Sequence, residues 1–248
     1  MSSIELAFVF TFLAGFSTMI GIIPIFIRLK SEDKIIAGAL SFAAGVMICV
    51  SVTDLIPEAI SLIKSTYRDF FVIVLVFVFM IIGMFVTLFL DKKVNVSMDN
   101  NSLYRVGIIS MLVIILHNIP EGIATFISTG IDTSLGLSLT LAISIHNIPE
   151  GISIAVPIYY ATKSKIKAFI YTFISALSEP LGAILAYLFL TRFITDSILG
   201  ILFSFIAGVM LYISFMELLP TSRSYKYSLI TKIFFIIGFV FILLKYFI

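Results

Sequence analysis

Long apolar stretches recur along the whole chain, and they leave it little scope to fold in water. Crossing the hydrocarbon of a bilayer takes about 20 apolar residues in a helix. Charges, Gly and Pro divide the 248 residues into eight such stretches, at about 4–29, 35–62, 69–90, 104–129, 134–161, 166–190, 196–219 and 229–248. The chain is 60% hydrophobic and 12% charged, whereas soluble domains carry roughly 25% charged residues. In lipid, every backbone N–H and C=O must find its partner inside the protein, which selects helices here. The expected fold is therefore all-α and integral to the membrane, a single domain over residues 1–248. No connection is long enough for a soluble domain, and nothing is left to bind nucleic acid. Met1 to Glu5 place no basic run ahead of the first apolar stretch, so it reads as a retained helix and not a cleaved leader. The one cysteine, Cys49, excludes an intrachain disulfide and a thiolate metal cluster. The many Phe side chains read as lipid-facing bulk.

Charge placement orients the spans. Arg28, Lys30 and Lys34 flank the first connection, and Lys92, Lys93 and Arg105 the third. Lys163, Lys165 and Lys167 lie in the fifth, and Arg223, Lys226 and Lys232 in the seventh. Only Lys64, Arg68, Arg192 and Lys245 fall on the other side, so one side holds twelve of the 16 basic residues. Positive residues stay in the cytoplasm, which puts both termini outside in a protein of the cell (plasma or inner) membrane.

A hexapeptide occurs twice: His117-Asn118-Ile119-Pro120-Glu121-Gly122 and His146-Asn147-Ile148-Pro149-Glu150-Gly151. His and Glu stand at i and i+4, and Asn and Glu at i and i+3, so on a helix all three share a face. Both copies lie near the middle of a span, and Glu179-Pro180 lies at a similar depth in the sixth. A charge at that depth costs roughly 2.5–3.5 kcal/mol on insertion scales. Three Glu and two His together point to a shared cation or a proton relay. Pro120 and Pro149 lack an N–H, so the carbonyls of Leu116 and Ile145 lose their usual helix partner just before each His.

A second repeat pairs spans two and seven. Residues 41–57, SFAAGVMICVSVTDLIP, align without a gap with residues 204–220, SFIAGVMLYISFMELLP. Ser41, Gly45, Met47, Asp54 and Pro57 meet Ser204, Gly208, Met210, Glu217 and Pro220. The alternation of sides makes these spans antiparallel, as it does spans four and five. The chain thus reads as eight helices in a 3+2+3 inverted-repeat bundle, an architecture that places substrate near the midplane. Asp54, Glu58 and Glu217 sit toward span ends, as candidates for a solvated pathway.

The paired HNIPEG motifs, Ser178-Glu179-Pro180-Leu181-Gly182 and the AGVM segments resemble the ZIP (Zrt/Irt-like) metal transporters, most nearly their bacterial ZupT/GufA-type branch. The resemblance spans essentially the whole chain. It implies a binuclear site between spans four, five and six, with His117, Glu121, His146 and Glu150 as the primary ligands. Asn118, Asn147 and Glu179, with both motif Glu residues, match an adjacent site, and Met47 matches a span-two ligand. Asn147 stands where some members carry an acid, which lowers the negative charge of that second site.

The implied cargo is zinc or another divalent transition metal, up to two ions bound. Three Glu give −3 against +4 for two such ions, which suits a substrate that must leave again. Imidazole and carboxylate ligands suit zinc, iron, manganese and cobalt, and cadmium belongs to the same expected range. A homodimer is compatible with the chain. An intramembrane zinc hydrolase would also hold His and carboxylates at depth, with a water on an open metal position. No HExxH is present, and an inverted repeat favours alternating access, so the expectation is a transporter and not an enzyme.

Overall fold

The computed structural model describes residues 2–27, 31–97, 102–190 and 195–244. Among these every regular element is helical. Seven helices are long and apolar enough to cross a membrane: α1 (Ser3–Phe26), α2 (Glu32–Lys64), α3 (Asp69–Val94), α4 (Leu103–Ile131), α5 (Thr133–Thr162), α6 (Lys165–Phe189) and α7 (Asp196–Ser224). A further apolar helix, α8 (Ser228–Leu243), has 16 residues. At about 1.5 Å per residue it reaches about 24 Å, short of the roughly 30 Å hydrocarbon layer. Arg28, Lys30, Arg192 and Lys245, and the C-terminal ends expected for the first and last spans, lie outside the described residues.

Local chemistry sets the helix starts. The Ser2 hydroxyl accepts from the Glu5 N–H while the Glu5 carboxylate accepts from the Ser2 N–H, a reciprocal cap. The turn between α4 and α5 is the single residue Asp132, whose carboxylate accepts from the Ser134 N–H at 2.7 Å. Helix exteriors are apolar: Phe70, Phe77, Phe85 and Phe89 stand exposed along α3. The interior carries the polar residues that have partners to meet.

The helices pack in equivalent pairs in the two halves of the chain. α4 and α5 form the central pair. α1 packs on α5 as α6 packs on α4, and α2 packs on α8 as α7 packs on α3. Glycines set the close approaches, as they do wherever backbones meet in lipid. A Cβ on Gly45 would collide with the carbonyl of Phe235 in α8, and one on the equivalent Gly208 with that of Met80 in α3.

The repeat in α2 and α7 extends to hydrogen bonds. Ser41 donates to the Ala37 carbonyl and Ser204 to that of Gly200; Ser51 donates to Met47 and Ser214 to Met210. Both helices then widen into a π segment in the same register, Ser51–Leu55 and Ser214–Leu218. Pro57 and Pro220 follow, and neither offers an N–H to the carbonyl four residues back, so the extra residue is accommodated there. Asp54 and Glu217 are the acids held on these widened turns.

Candidate metal centre

α4 and α5 run unbroken through Pro120 and Pro149. The expected loss of backbone bonds at Leu116 and Ile145 therefore leaves both helices continuous. Each Gly that closes a hexapeptide is a contact point. A Cβ on Gly122 would strike the Glu179 carbonyl of α6, and one on Gly151 the Thr18 carbonyl of α1. These contacts draw α6 and α1 onto the two faces of the central pair.

The hexapeptide side chains converge between the helices. His117 Nε2 lies 3.2 Å from Glu121 Oε1 and 3.1 Å from Glu150 Oε1. His146 Nε2 lies 3.1 Å from the same Glu121 oxygen. The closest pairings are thus partly across the helix interface: Glu121 touches both imidazoles, and Glu150 reaches the His of the other helix. Metal–ligand distances of about 2.0–2.2 Å place tetrahedral ligand atoms about 3.3–3.6 Å apart, close to these separations. Ligand atoms of His117, Glu121 and His146 all lie within 4.8 Å of one another.

The cluster is buried and not neutralised by protein. His117, Glu150, Asn118, Asn147 and Glu179 are fully buried, and Glu121 and His146 nearly so. Among the described residues no Lys or Arg pairs with any of its carboxylates. Removing an ion from water costs several kcal/mol per charge unless a partner compensates. Glu150 Oε2, Glu121 Oε2 and His117 Nδ1 are also without hydrogen-bond partners. Converging lone pairs that do not satisfy one another are the arrangement a divalent cation satisfies.

Glu179 stands beside this group. Its Oε2 accepts from Asn147 Nδ2 at 2.8 Å, and the same nitrogen lies 2.9 Å from the Ala14 carbonyl in α1. The Oδ1 of Asn147 and the other Glu179 oxygen remain unpartnered, as do both polar atoms of Asn118. Met47 is fully buried in the main apolar core.

Asp54 and Glu58 of α2 line a cavity of about 630 Å³ that also reaches Glu121 and Ser128 of α4, His146 of α5 and Asp196 at the start of α7. Its outer rim includes Leu62, Ile131 and Leu135, next to the even-numbered connections. Glu217 is elsewhere and is not solvated. It is 4% exposed, and Arg105 holds it at 2.9 Å between Nη2 and Oε2. The guanidinium of Arg105 also pairs with Asp91, which accepts from the Tyr212 hydroxyl at 3.2 Å.

Two features of this region go beyond what single residues announced. Arg105 and Asp91 read as charges at helix ends, 14 residues apart, with no signal that α7 would supply a second acid. In α1, Phe12, Ser17 and Gly21 fall in register with Phe173, Ser178 and Gly182 of α6. The Ser17 and Ser178 hydroxyls donate to the equivalent carbonyls of Ala14 and Ser175. That register sets Thr18 opposite Glu179, and the Thr18 hydroxyl is buried without a partner. The weak match of small residues was the available signal.

Residues 95–245 match a family model described as ZIP Zinc transporter. The zinc transporter ZupT of Oceanobacillus iheyensis is 40% identical, the alignment covering 91% of this chain and 91% of that protein. The zinc transporter ZupT of Chlorobaculum parvum is 40% identical over 90% of each chain. That of Clostridium perfringens is 38% identical over 91% of this chain and 89% of its own. Likeness of this degree along nearly the whole length, on a helical bundle centred on the doubled hexapeptide, makes the chain a member of the ZIP family.

Proposed function

We propose that this chain carries divalent transition-metal ions, zinc foremost, across the cell membrane into the cytoplasm. Iron, manganese, cobalt and cadmium are further cargo that its imidazole and carboxylate donors suit. The frame is a single transmembrane domain over residues 1–248, crossing eight times, with both termini outside. α8 supplies the eighth crossing. The Lys- and Arg-rich end is the cytoplasmic one.

The observation that carries this reading is a buried set of carboxylates and imidazoles, with no Lys or Arg partner among the described residues, at the foot of a wide cavity. His117, Glu121, His146 and Glu150 bind the first ion, with Met47 as an added ligand when α2 shifts. Asn118, Asn147 and Glu179 bind a second ion beside it, sharing Glu121 and Glu150. The cavity is the approach from outside, where Asp54 and Glu58 concentrate cations. Arg105, Asp91 and Glu217 close the cytoplasmic end, and transport requires that closure to open as the other end shuts.

Purified protein in sealed vesicles should take up radiolabelled zinc with no other substrate added, and the other divalent metals should compete. Absence of uptake by protein that binds zinc would overturn the transporter reading. Metal counting tests the second ion: two per chain in the wild type and one in Glu179→Gln. One ion in both would remove the binuclear site while leaving transport standing.

A further inference from the structure

A second cavity lies far from the metal centre, at the Lys- and Arg-rich end, between α7 and α8. Its volume is about 420 Å³, within the range of about 300–1,000 Å³ usual for small-ligand sites. Three cations line it, Arg223, Lys226 and Lys232, and no acidic side chain does. Its deeper wall is Phe215, Leu219 and Phe235. The cationic part therefore sits at the helix ends, and the apolar part extends along the helices toward the bilayer interior. Arg223 and Phe215 are eight residues apart on α7, about 12 Å at helical rise.

Most other cations at the same end have a partner, and Lys92 and Lys167, which form no ion pair among the described residues, do not line this groove. Arg105 is held by two acids, and Lys163 by Glu32. Lys34, Lys93 and Lys165 each lie over an aromatic ring. Arg223, Lys226 and Lys232 form no ion pair among the described residues, and all three are exposed. The first turn of α8 begins in this groove at Ser228, and no side chain caps its N–H groups. Three uncompensated positive charges above an apolar slot, opening to lipid, match one chemistry: a phosphate attached to acyl chains.

We propose that this groove between α7 and α8 is a binding site for an anionic phospholipid. Its phosphate is held by Arg223, Lys226 and Lys232, and its acyl chains run along Phe215, Leu219 and Phe235. The lipid seals α8 against α7 at the one helix that is too short to span the hydrocarbon within its described residues.

Native mass spectrometry of the detergent-purified full chain provides the test, with phosphatidylglycerol and phosphatidylcholine of identical acyl chains as probes. Phosphatidylglycerol should be retained in preference to phosphatidylcholine. Each juxtamembrane cation contributes about fivefold to binding of anionic lipid. Arg223→Gln with Lys232→Gln should therefore weaken phosphatidylglycerol retention about 25-fold. Lys92→Gln with Lys167→Gln removes two cations from the same end outside the groove, and it should leave retention unchanged. Phe215→Ser keeps every charge and should still weaken retention. Equal losses in the two double variants would reduce the effect to diffuse charge attraction and overturn the site. So would equal retention of both lipids. Displacement by glycerol 3-phosphate at concentrations matching the lipid would reassign the groove to a soluble phosphate.

Discussion

α2 and α7 share a sequence pattern, the Ser back-bonds, the π segment and the proline after it, yet the acids they carry meet opposite surroundings. Asp54, on α2, lines a cavity that runs down to Glu121 and His146. Glu217, its counterpart on α7, is buried against Arg105 and belongs to a four-residue network with Asp91 and Tyr212. Backbone symmetry and side-chain asymmetry coexist because the matched positions set the helix geometry of each half, whereas what each acid meets depends on side chains outside the repeat. On the proposed alternating-access reading, this difference belongs to a state open at the Asp54 end and latched at the Glu217 end.

The largest expected effect tests the centre that both halves share. Glu121→Ala and Glu150→Ala should each reduce zinc uptake by more than the roughly 10–100-fold that follows loss of a residue supporting a metal ligand. Wild-type uptake at equal surface expression in either variant would dissolve the comparison, since the two halves would then flank nothing.

Repeat-related cysteines test the asymmetry itself. In a Cys49→Ala background, Val50→Cys borders the cavity, and Ile213→Cys occupies the same register on α7 in the closed half. A water-soluble thiol reagent should label the first faster than the second. Equal labelling would mean that the two ends are not in opposite states.

Breaking the latch should follow. Removing one partner of a buried ion pair destabilises by about 3–5 kcal/mol. Arg105→Gln should therefore lower the thermal inactivation temperature and speed the labelling of Ile213→Cys. Adding Glu217→Gln should recover part of that loss, because only Asp91 then stays uncompensated. If Arg105→Gln leaves both readouts unchanged, the network is not what closes that end.

Smaller effects belong to the open half. Asp54→Asn should raise the apparent KM for zinc a few-fold at low ionic strength and less at high salt, because steering by exposed charge is screened. Uptake should also fall as the external medium is acidified. His117 and His146 bind metal only when neutral, so protons compete with the cation. A rise in zinc affinity on acidification would contradict ligation by these imidazoles.

Much of this was legible in one dimension because membrane helices are set by local rules. About twenty apolar residues make a span, a basic loop sets its direction, and His-x-x-x-Glu puts two donors on one face whatever surrounds it. The doubled hexapeptide and the repeat in α2 and α7 needed only spacing, and Glu179 needed only depth. Tertiary structure alone decided which donors meet. Glu121 touches two imidazoles, and Glu150 reaches His117 on the neighbouring helix, because α4 and α5 pack against each other at a distance that no spacing within one helix encodes. It also decided that Asp54 opens on a cavity while Glu217 does not. The two acids occupy equivalent positions in the repeat, and what separates them is Arg105, a residue that joins them only after the chain has folded.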